Sequence, residues 1–147
     1  MNQLVMPKLA YKRPESVLVV IYTAQQKVLL LQRKDRPELW QSVTGSLEPN
    51  EQPHEAAARE LFEETGLRGE LKDHRRKNRF PILPAWRKRY APEVTFNIEH
   101  VFTLCLPQPC DIQLHPDEHT AWRWLERETA IQEAFSWSNR SAIRDLI

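Results

Sequence analysis

The chain has 147 residues, a length that suits one domain of the usual roughly 100–200 residues and excludes two complete ones. Hydrophobic residues make up 41% and charged residues 28%, enough apolar surface for a packed core and too much for a disordered chain. Lys and Arg total 21 against 20 Asp and Glu, a net charge of +1, so no global basic field recruits nucleic acid or an anionic membrane, and any anion site has to be local.

The longest apolar runs, Val17–Tyr22 and Val28–Leu31, fall far short of the ~20 residues that span a bilayer. Residues 1–12 lack an apolar stretch followed by a small-residue cleavage site, so no secretory signal is read and a cytoplasmic protein is expected. Cys105 and Cys110 are separated by Pro107 and Pro109. They lack the paired spacing of a zinc or redox site, and Cys105 is expected in a strand.

Ser16–Tyr22 and Lys27–Gln32 are apolar, partly β-branched runs joined by four residues, which predicts two strands forming a hairpin. Pro37 breaks the pattern, and Trp40–Thr44 reads as a further short strand before Gly45. Pro53 suits the first turn of a helix and Gly66 its left-handed stop, so 53–65 is the clearest predicted helix. Residues 69–91 carry Arg75, Arg76, Lys77, Arg79, Arg87, Lys88 and Arg89 among prolines, and are expected to form a basic connection containing short strands. Val94–Leu106 has apolar residues at even positions and is predicted as a strand with one apolar face. Pro107–Pro116 reads as a loop and Ala121–Leu125 as a strand. A last helix is expected with Ser138 or Asn139 as its cap and Ala142, Ile143, Leu146 and Ile147 on its apolar side. No heptads or large apolar stripe are visible, so a monomer is expected.

At 100° per residue, the 53–65 helix puts Ala57, Ala58, Leu61 and Phe62 on one side and Glu60, Glu63 and Glu64 on the other. Like charges at this spacing repel by ~0.2–0.5 kcal/mol per pair in an isolated helix. Such a face can be simple solvated charge, balanced by Arg59. It is equally a set of hard oxygen ligands on one rigid element, which suits Mg²⁺ with part of its water shell retained. The flanking residues favour the second reading. Gly45, Glu51, Arg59, Glu60, Leu61, Glu63, Glu64, Gly66 and Leu67 fit G-x5-E-x7-R-E-U-x-E-E-x-G-U (U, bulky aliphatic) without a departure. A chance match is expected with a probability on the order of 10⁻⁷.

This pattern is the Nudix box, and the chain resembles the Nudix hydrolases. The resemblance implies an α/β/α sandwich around a mixed sheet, one domain over 1–147 with the box at 45–67, and hydrolysis of a phosphoanhydride in a small-molecule substrate. It implies Glu60, Glu63 and Glu64 as ligands for Mg²⁺, with Mn²⁺ as a substitute. Arg59 would orient them, Gly45 would allow close approach of the phosphates and Glu51 would brace the loop. Tyr11–Pro14, Trp40–Ser46, Arg89–Pro92, Trp122–Leu125 and Ser136–Arg140 extend the resemblance to bacterial members that remove pyrophosphate from a dihydropterin triphosphate in folate biosynthesis and from dATP. In those members a late-loop glutamate joins the metal site, and Glu118 stands at the matching place. The same likeness implies Lys12, Arg33 and Thr44 as substrate contacts, with Phe80, Pro81, Ile82, Leu83 and Ser136 near the ring. Each also has an ordinary reading: Lys12 as a terminal charge, Arg33 as a strand-end residue, Thr44 as a β-former, Ser136 as a cap, and Phe80–Leu83 as core. Residues 70–86 and the Pro107–Pro116 loop depart from that pattern. Other readings are a general nucleoside triphosphate or dinucleoside polyphosphate hydrolase, a catalytically silent ligand-binding module and, from the basic 75–89 stretch, RNA decapping. Intact carboxylates count against the silent module, and near-neutral charge against a nucleic-acid partner.

Overall fold

The computed structural model describes residues 11–147. Residues 1–10, on which most of the secretory-signal reading rests, lie outside the described residues. The elements in chain order are Glu15–Thr23 (β1), Lys27–Arg33 (β2), Trp40–Gln41 (β3), Val43–Ser46 (β4), Pro53–Thr65 (α1), Lys72–Pro81 (β5), a 3₁₀ turn at Pro84–Arg89, Phe96–Leu106 (β6), His119–Glu126 (β7), Arg127–Glu133 (α2) and Trp137–Leu146 (α3).

The apolar run of β1 makes it the central strand. It pairs in parallel with β6 and antiparallel with β2 and β4, and a strand covered on both faces needs continuous rather than alternating apolarity. Val17, Val19 and Ile21 join the core under α1, while Leu18 and Val20 join the core under α2 and α3. These two cores flank one seven-stranded mixed sheet of order β3-β2-β1-β6-β5, with β4 on β1 and β7 on β2. The architecture is the expected α/β/α sandwich. No helix among the described residues is long and apolar enough to cross a membrane.

The hairpin of β1 and β2 is paired only near its turn, at Tyr22 and Val28. Beyond that point the strands part: β4 pairs with the first half of β1, and β7 pairs with β2. This fork in the sheet positions the site.

Helix α1 begins at Pro53, with the Gln52 N–H donating to the Glu55 carboxylate at 2.9 Å. It ends at Gly66, whose φ of 74° allows its N–H to reach the Phe62 carbonyl. The expected division of its faces is wrong. Ala56, Ala57, Glu60, Leu61, Glu64 and Thr65 are buried, whereas Ala58 and Phe62 face solvent. The helix is rotated so that two glutamates lie on its inward side. Phe62 is covered from outside by the Arg68 guanidinium, 4.3 Å from its ring centroid.

Four other expectations are corrected. Trp40–Thr44 is two short strands, because the Ser42 N–H donates to the Asn139 Oδ1 at 2.8 Å and interrupts the strand there. The basic 69–91 stretch contains one ten-residue strand, β5, at the sheet edge. Exposed charge is compatible with an edge whose partner strand supplies the ladder, and it discourages pairing with other chains. On β6, Phe96 and Ile98 are exposed while Asn97 and Glu99 are buried, so the apolar face holds only from Phe102 onward. The cap of α3 is Ser136, whose Oγ accepts from the Asn139 N–H at 3.1 Å, which leaves Ser138 and Asn139 buried inside the helix. Helix α2 was not expected: its charged sequence buries only Ala130. Cys105 lies in β6, and both cysteines are free and exposed.

Asn139 also donates to the Ser42 Oγ at 2.9 Å, so one buried amide ties α3 to the β3–β4 link. Asn139→Ala strands a buried N–H and is expected to cost about 2–3 kcal/mol, measured by urea denaturation.

Candidate active site

The box loop and helix converge on Arg59. Its Nε and Nη2 donate to the two oxygens of Glu51 at 2.8 Å each, its Nη1 to Glu60 at 2.7 Å, and its Nη2 also to the Ser46 carbonyl at 3.0 Å. Glu51 in turn accepts from the Glu48 N–H at 2.9 Å and closes the loop. The guanidinium holds the Glu51 carboxyl below its ordinary pKa. Arg59 thus fixes the direction of Glu60 from the side opposite the core.

Glu60 and Glu64 are one turn apart on the buried side of α1. Glu64 is fully buried, and neither of its carboxylate oxygens has a hydrogen-bond partner among the described residues. Burial first, and then the Glu60 carboxyl, push the Glu64 pKa well above the ordinary value; burial also raises Glu60. An ionised carboxylate stranded this way is costly unless a cation meets it.

β7 brings the other groups. One oxygen of Glu64, one of Glu118 and a ring nitrogen of His119 lie within 4.8 Å of one another. A register shift at Gln32/Arg33 leaves Thr120 unpaired, with Gln32 opposite Ala121 and Arg33 opposite His119. Such irregularities commonly re-aim side chains at functional sites. Backbone bonds of Glu118 to Lys34 and His115 hold the turn. The His119 Nδ1 is 3.5 Å from Glu64, and burial followed by Arg33 lowers its pKa to about 4, so the ring is neutral at pH 7.

Gly45 faces the same cluster. A Cβ there would lie 2.2 Å from the Glu60 carboxyl carbon and 2.4 Å from one of its oxygens. Gly45→Ala is expected to push the Glu60 side chain aside while the fold survives. Since a misplacement of about 1 Å can cost roughly 100-fold, activity should fall at least about tenfold with little change in melting temperature.

The other predicted residues are placed as follows. Glu63 is exposed and 3.4 Å from Arg59, outside the buried carboxylate pair. Lys12 is exposed, and its N–H donates to the Arg89 carbonyl at 2.8 Å; partial desolvation and then the Arg89 charge lower the pKa of its ammonium, which feels Glu60, Glu118 and Arg33. Arg33 gives two prongs to Asp35 at 2.8 Å each and lies 5.2 Å from the Trp86 ring centroid. The Thr44 hydroxyl donates to the Val17 carbonyl at 2.9 Å. Phe80 and Pro81 end β5, Ile82 is buried and Leu83 exposed. Phe80 packs edge-on against Trp137, next to the cap residue Ser136.

His119, which the sequence reading did not single out, and Arg89, which it quoted in Arg89–Pro92 without a site role, belong to this neighbourhood. The one available signal for His119 was its position next to Glu118; Arg89 was hidden in a run of basic residues. The donor set, a buried Glu64 carboxylate with unmet charge, Glu60 aimed by Arg59, a loop carboxylate and a neutral imidazole, fits a divalent cation.

Residues 12–146 match the NUDIX domain. The chain is 46% identical over 143 residues to the dihydroneopterin triphosphate diphosphatase of Escherichia coli K12, covering 93% of this chain and 94% of that protein. It is 41% identical to the protein of the same name from Haemophilus influenzae, covering 91% and 87%. The structure of the E. coli dihydroneopterin triphosphate pyrophosphohydrolase superposes with a TM-score of 0.88 at 44% identity, over 94% of this chain and 97% of that one. A box helix that turns Glu60 and Glu64 inward, an arginine that locks Glu60 to the loop and a match over nearly the whole length place this chain in the NUDIX family of hydrolases.

Proposed function

We propose that the chain hydrolyses dihydroneopterin triphosphate to dihydroneopterin monophosphate and pyrophosphate, a step of folate biosynthesis, with side activity on dATP and other nucleoside triphosphates. The reading takes 1–147 as one domain acting as a cytoplasmic monomer, without a nucleic-acid partner. Mg²⁺ is the proposed cofactor, replaceable by Mn²⁺. The observation that supports the reading is the buried Glu64, whose carboxylate is left unmet between Glu60 and Glu118.

Glu60, Glu64 and Glu118 would hold the metal, with Glu63 at the rim. A divalent cation at such a site neutralises phosphate oxygens and acidifies water. The protein's own residues do the rest. Arg59 keeps Glu60 aimed, and Gly45 leaves room for the phosphate chain. Lys12, Arg33 and Arg89 supply positive charge to its oxygens. A carboxylate of the cluster accepts the proton of the water that attacks phosphorus, and the bond between the first and second phosphates breaks with pyrophosphate as the leaving group. Thr44, Ser136 and Phe80–Leu83 would line the path toward the ring.

Product analysis by ³¹P NMR on dihydroneopterin triphosphate and dATP in parallel tests this. Monophosphate plus pyrophosphate is expected from both, with kcat/KM favouring the pterin. Equal or better turnover of dATP would transfer the assignment to a general nucleoside triphosphate hydrolase. Glu118→Gln is expected to lower kcat about 10- to 100-fold with a normal melting temperature.

A further inference from the structure

On the sheet face under α2 and α3, one row of side chains crosses four strands in common register. Ser46 of β4 lies opposite Ser16 of β1, Ser16 opposite Glu99 of β6, and Glu99 opposite Asn78 of β5. One step along the strands, on the same face, Asn97 lies opposite Phe80. The apolar core of this face ends at Leu18 and Val101, which occupy the adjacent row. Beyond them the floor is polar and still buried: Glu99 is 5% exposed, Asn97 4% and Asn78 8%.

This floor combines a carboxylate without a cationic partner among the described residues with one open amide oxygen. Among the described residues, Glu99 accepts one side-chain amide bond, from Asn78 Nδ2 at 3.3 Å, has the Ser138 hydroxyl favouring its charged form, and pairs with no cation. Burial raises its pKa. Asn97 donates to the Ser16 Oγ at 2.8 Å, and its Oδ1 is buried with no partner among the described residues. A buried acceptor left open, as Asn97 Oδ1 is, is costly and calls for a donor. Above the floor stands an aromatic wall: Phe80 is edge-on to Trp137 at 6.3 Å, and Trp137 is 49% exposed. The row also adjoins the phosphate end of the site. Ser46 follows Gly45 directly where the sheet forks: its side chain lies on the face opposite Glu60, and its carbonyl accepts from Arg59.

We propose that Glu99, flanked by Asn78 and Asn97, recognises the substrate ring by accepting two parallel N–H bonds from a 2-amino-4-oxo-pyrimidine edge. This rests on the triphosphate-hydrolase reading and specifies what selects the ring. A pterin presents an amino group beside a ring N–H, two donors matched to the two oxygens of a carboxylate. Adenine presents an amino group beside a bare ring nitrogen, whose lone pair would face a carboxylate oxygen. A site built to hydrogen-bond a substrate rejects analogues that lack the donor, because its buried groups are then left unpaired. Glu99 is therefore a specificity residue, remote from the bond that breaks.

Two measurements test this. In Glu99→Gln, one acceptor becomes a donor with little change of shape. The ratio of kcat/KM for dihydroneopterin triphosphate over dATP is expected to fall about 10- to 100-fold, the scale of one good bidentate contact. In the unmutated protein, fluorescence titration should show neopterin binding at least about tenfold more tightly than the same compound with oxygen in place of the 2-amino group. This second comparison needs no variant, so it decides the matter even if Glu99→Gln fails to fold. Equal losses on both substrates, or equal binding of the 2-amino and 2-oxo rings, would make the row a structural network and overturn the proposal. If the unmutated protein cleaves neither triphosphate, the hydrolase reading falls by itself, and the ring titration still decides the role of Glu99.

Discussion

Glu64→Gln is expected to abolish turnover while making the metal-free protein more stable. Glu64 is fully buried, its oxygens are unpartnered, and Glu60 and Glu118 face it with like charge. Loss of its charge removes a ligand for the cation, so kcat should fall at least about 10³-fold, as for other groups that hold transition-state charge. Without metal, the same charge is a burden on the fold. The pH dependence follows from the raised pKa. A carboxyl whose folded pKa exceeds its unfolded value carries no penalty below the unfolded value of 4.5. As pH rises through the folded pKa, the native state must ionise a buried group, and stability is lost. The metal-free protein should therefore melt lower at pH 8 than this group alone would allow at pH 5. Glu64→Gln should raise the melting temperature by a few degrees at pH 8 and by less at pH 5. Added Mg²⁺ should stabilise the unmutated protein most at the higher pH, and the variant little. Calorimetric scans at the two pH values, with and without metal, read all of these effects.

Arg59→Ala is expected to have the second-largest effect, and in the opposite direction on stability. The guanidinium satisfies Glu51 through two bonds, Glu60 through one and the Ser46 carbonyl through another. Its removal leaves two largely buried carboxylates without a counter-charge, a loss of about 3 kcal/mol. For a chain of this size that lowers the melting temperature by roughly 10 °C. Glu60 also loses the bond that aims it, so Mg²⁺ affinity should drop about 10- to 100-fold. Arg59→Lys should recover little of either, because an ammonium cannot supply the planar fork that Glu51 uses. Denaturation midpoints and Mg²⁺ titration of the two variants separate loss of charge from loss of geometry.

The box was legible because its chemistry depends on spacing along one loop and one helix, and spacing is what a sequence records. Glu60, Glu64, Arg59, Glu51 and Gly45 could be picked out from their intervals, and the structure brings them together. The facing of α1 was not legible. Ala58 and Phe62 are apolar, and a helix wheel sends them inward, yet the helix is rotated by what its neighbours need. Gly45 leaves space for the Glu60 carboxyl, so the inward stripe runs through Ala57, Glu60, Leu61 and Glu64. β5 escaped because its ten residues are mostly charged, and their strand state comes from the ladder with β6, a long-range partner. The contribution of His119 depends on a register shift between β2 and β7, which no local pattern announces. The buried Asn97 and Glu99 broke the even-position pattern of β6 for a similar reason. What covers each face is decided by α3, nearly forty residues later.

Pyrophosphate release from dihydroneopterin triphosphate, followed as Mg²⁺ is titrated into the unmutated protein and Glu64→Gln side by side, tests the central claim most directly. The account predicts that release is absent without a divalent cation, rises to saturation with Mg²⁺ in the unmutated protein and stays at least about 10³-fold lower in Glu64→Gln. Release that ignores the metal, or that proceeds at an undiminished rate in Glu64→Gln, would contradict the assignment of the buried glutamates as the site of chemistry.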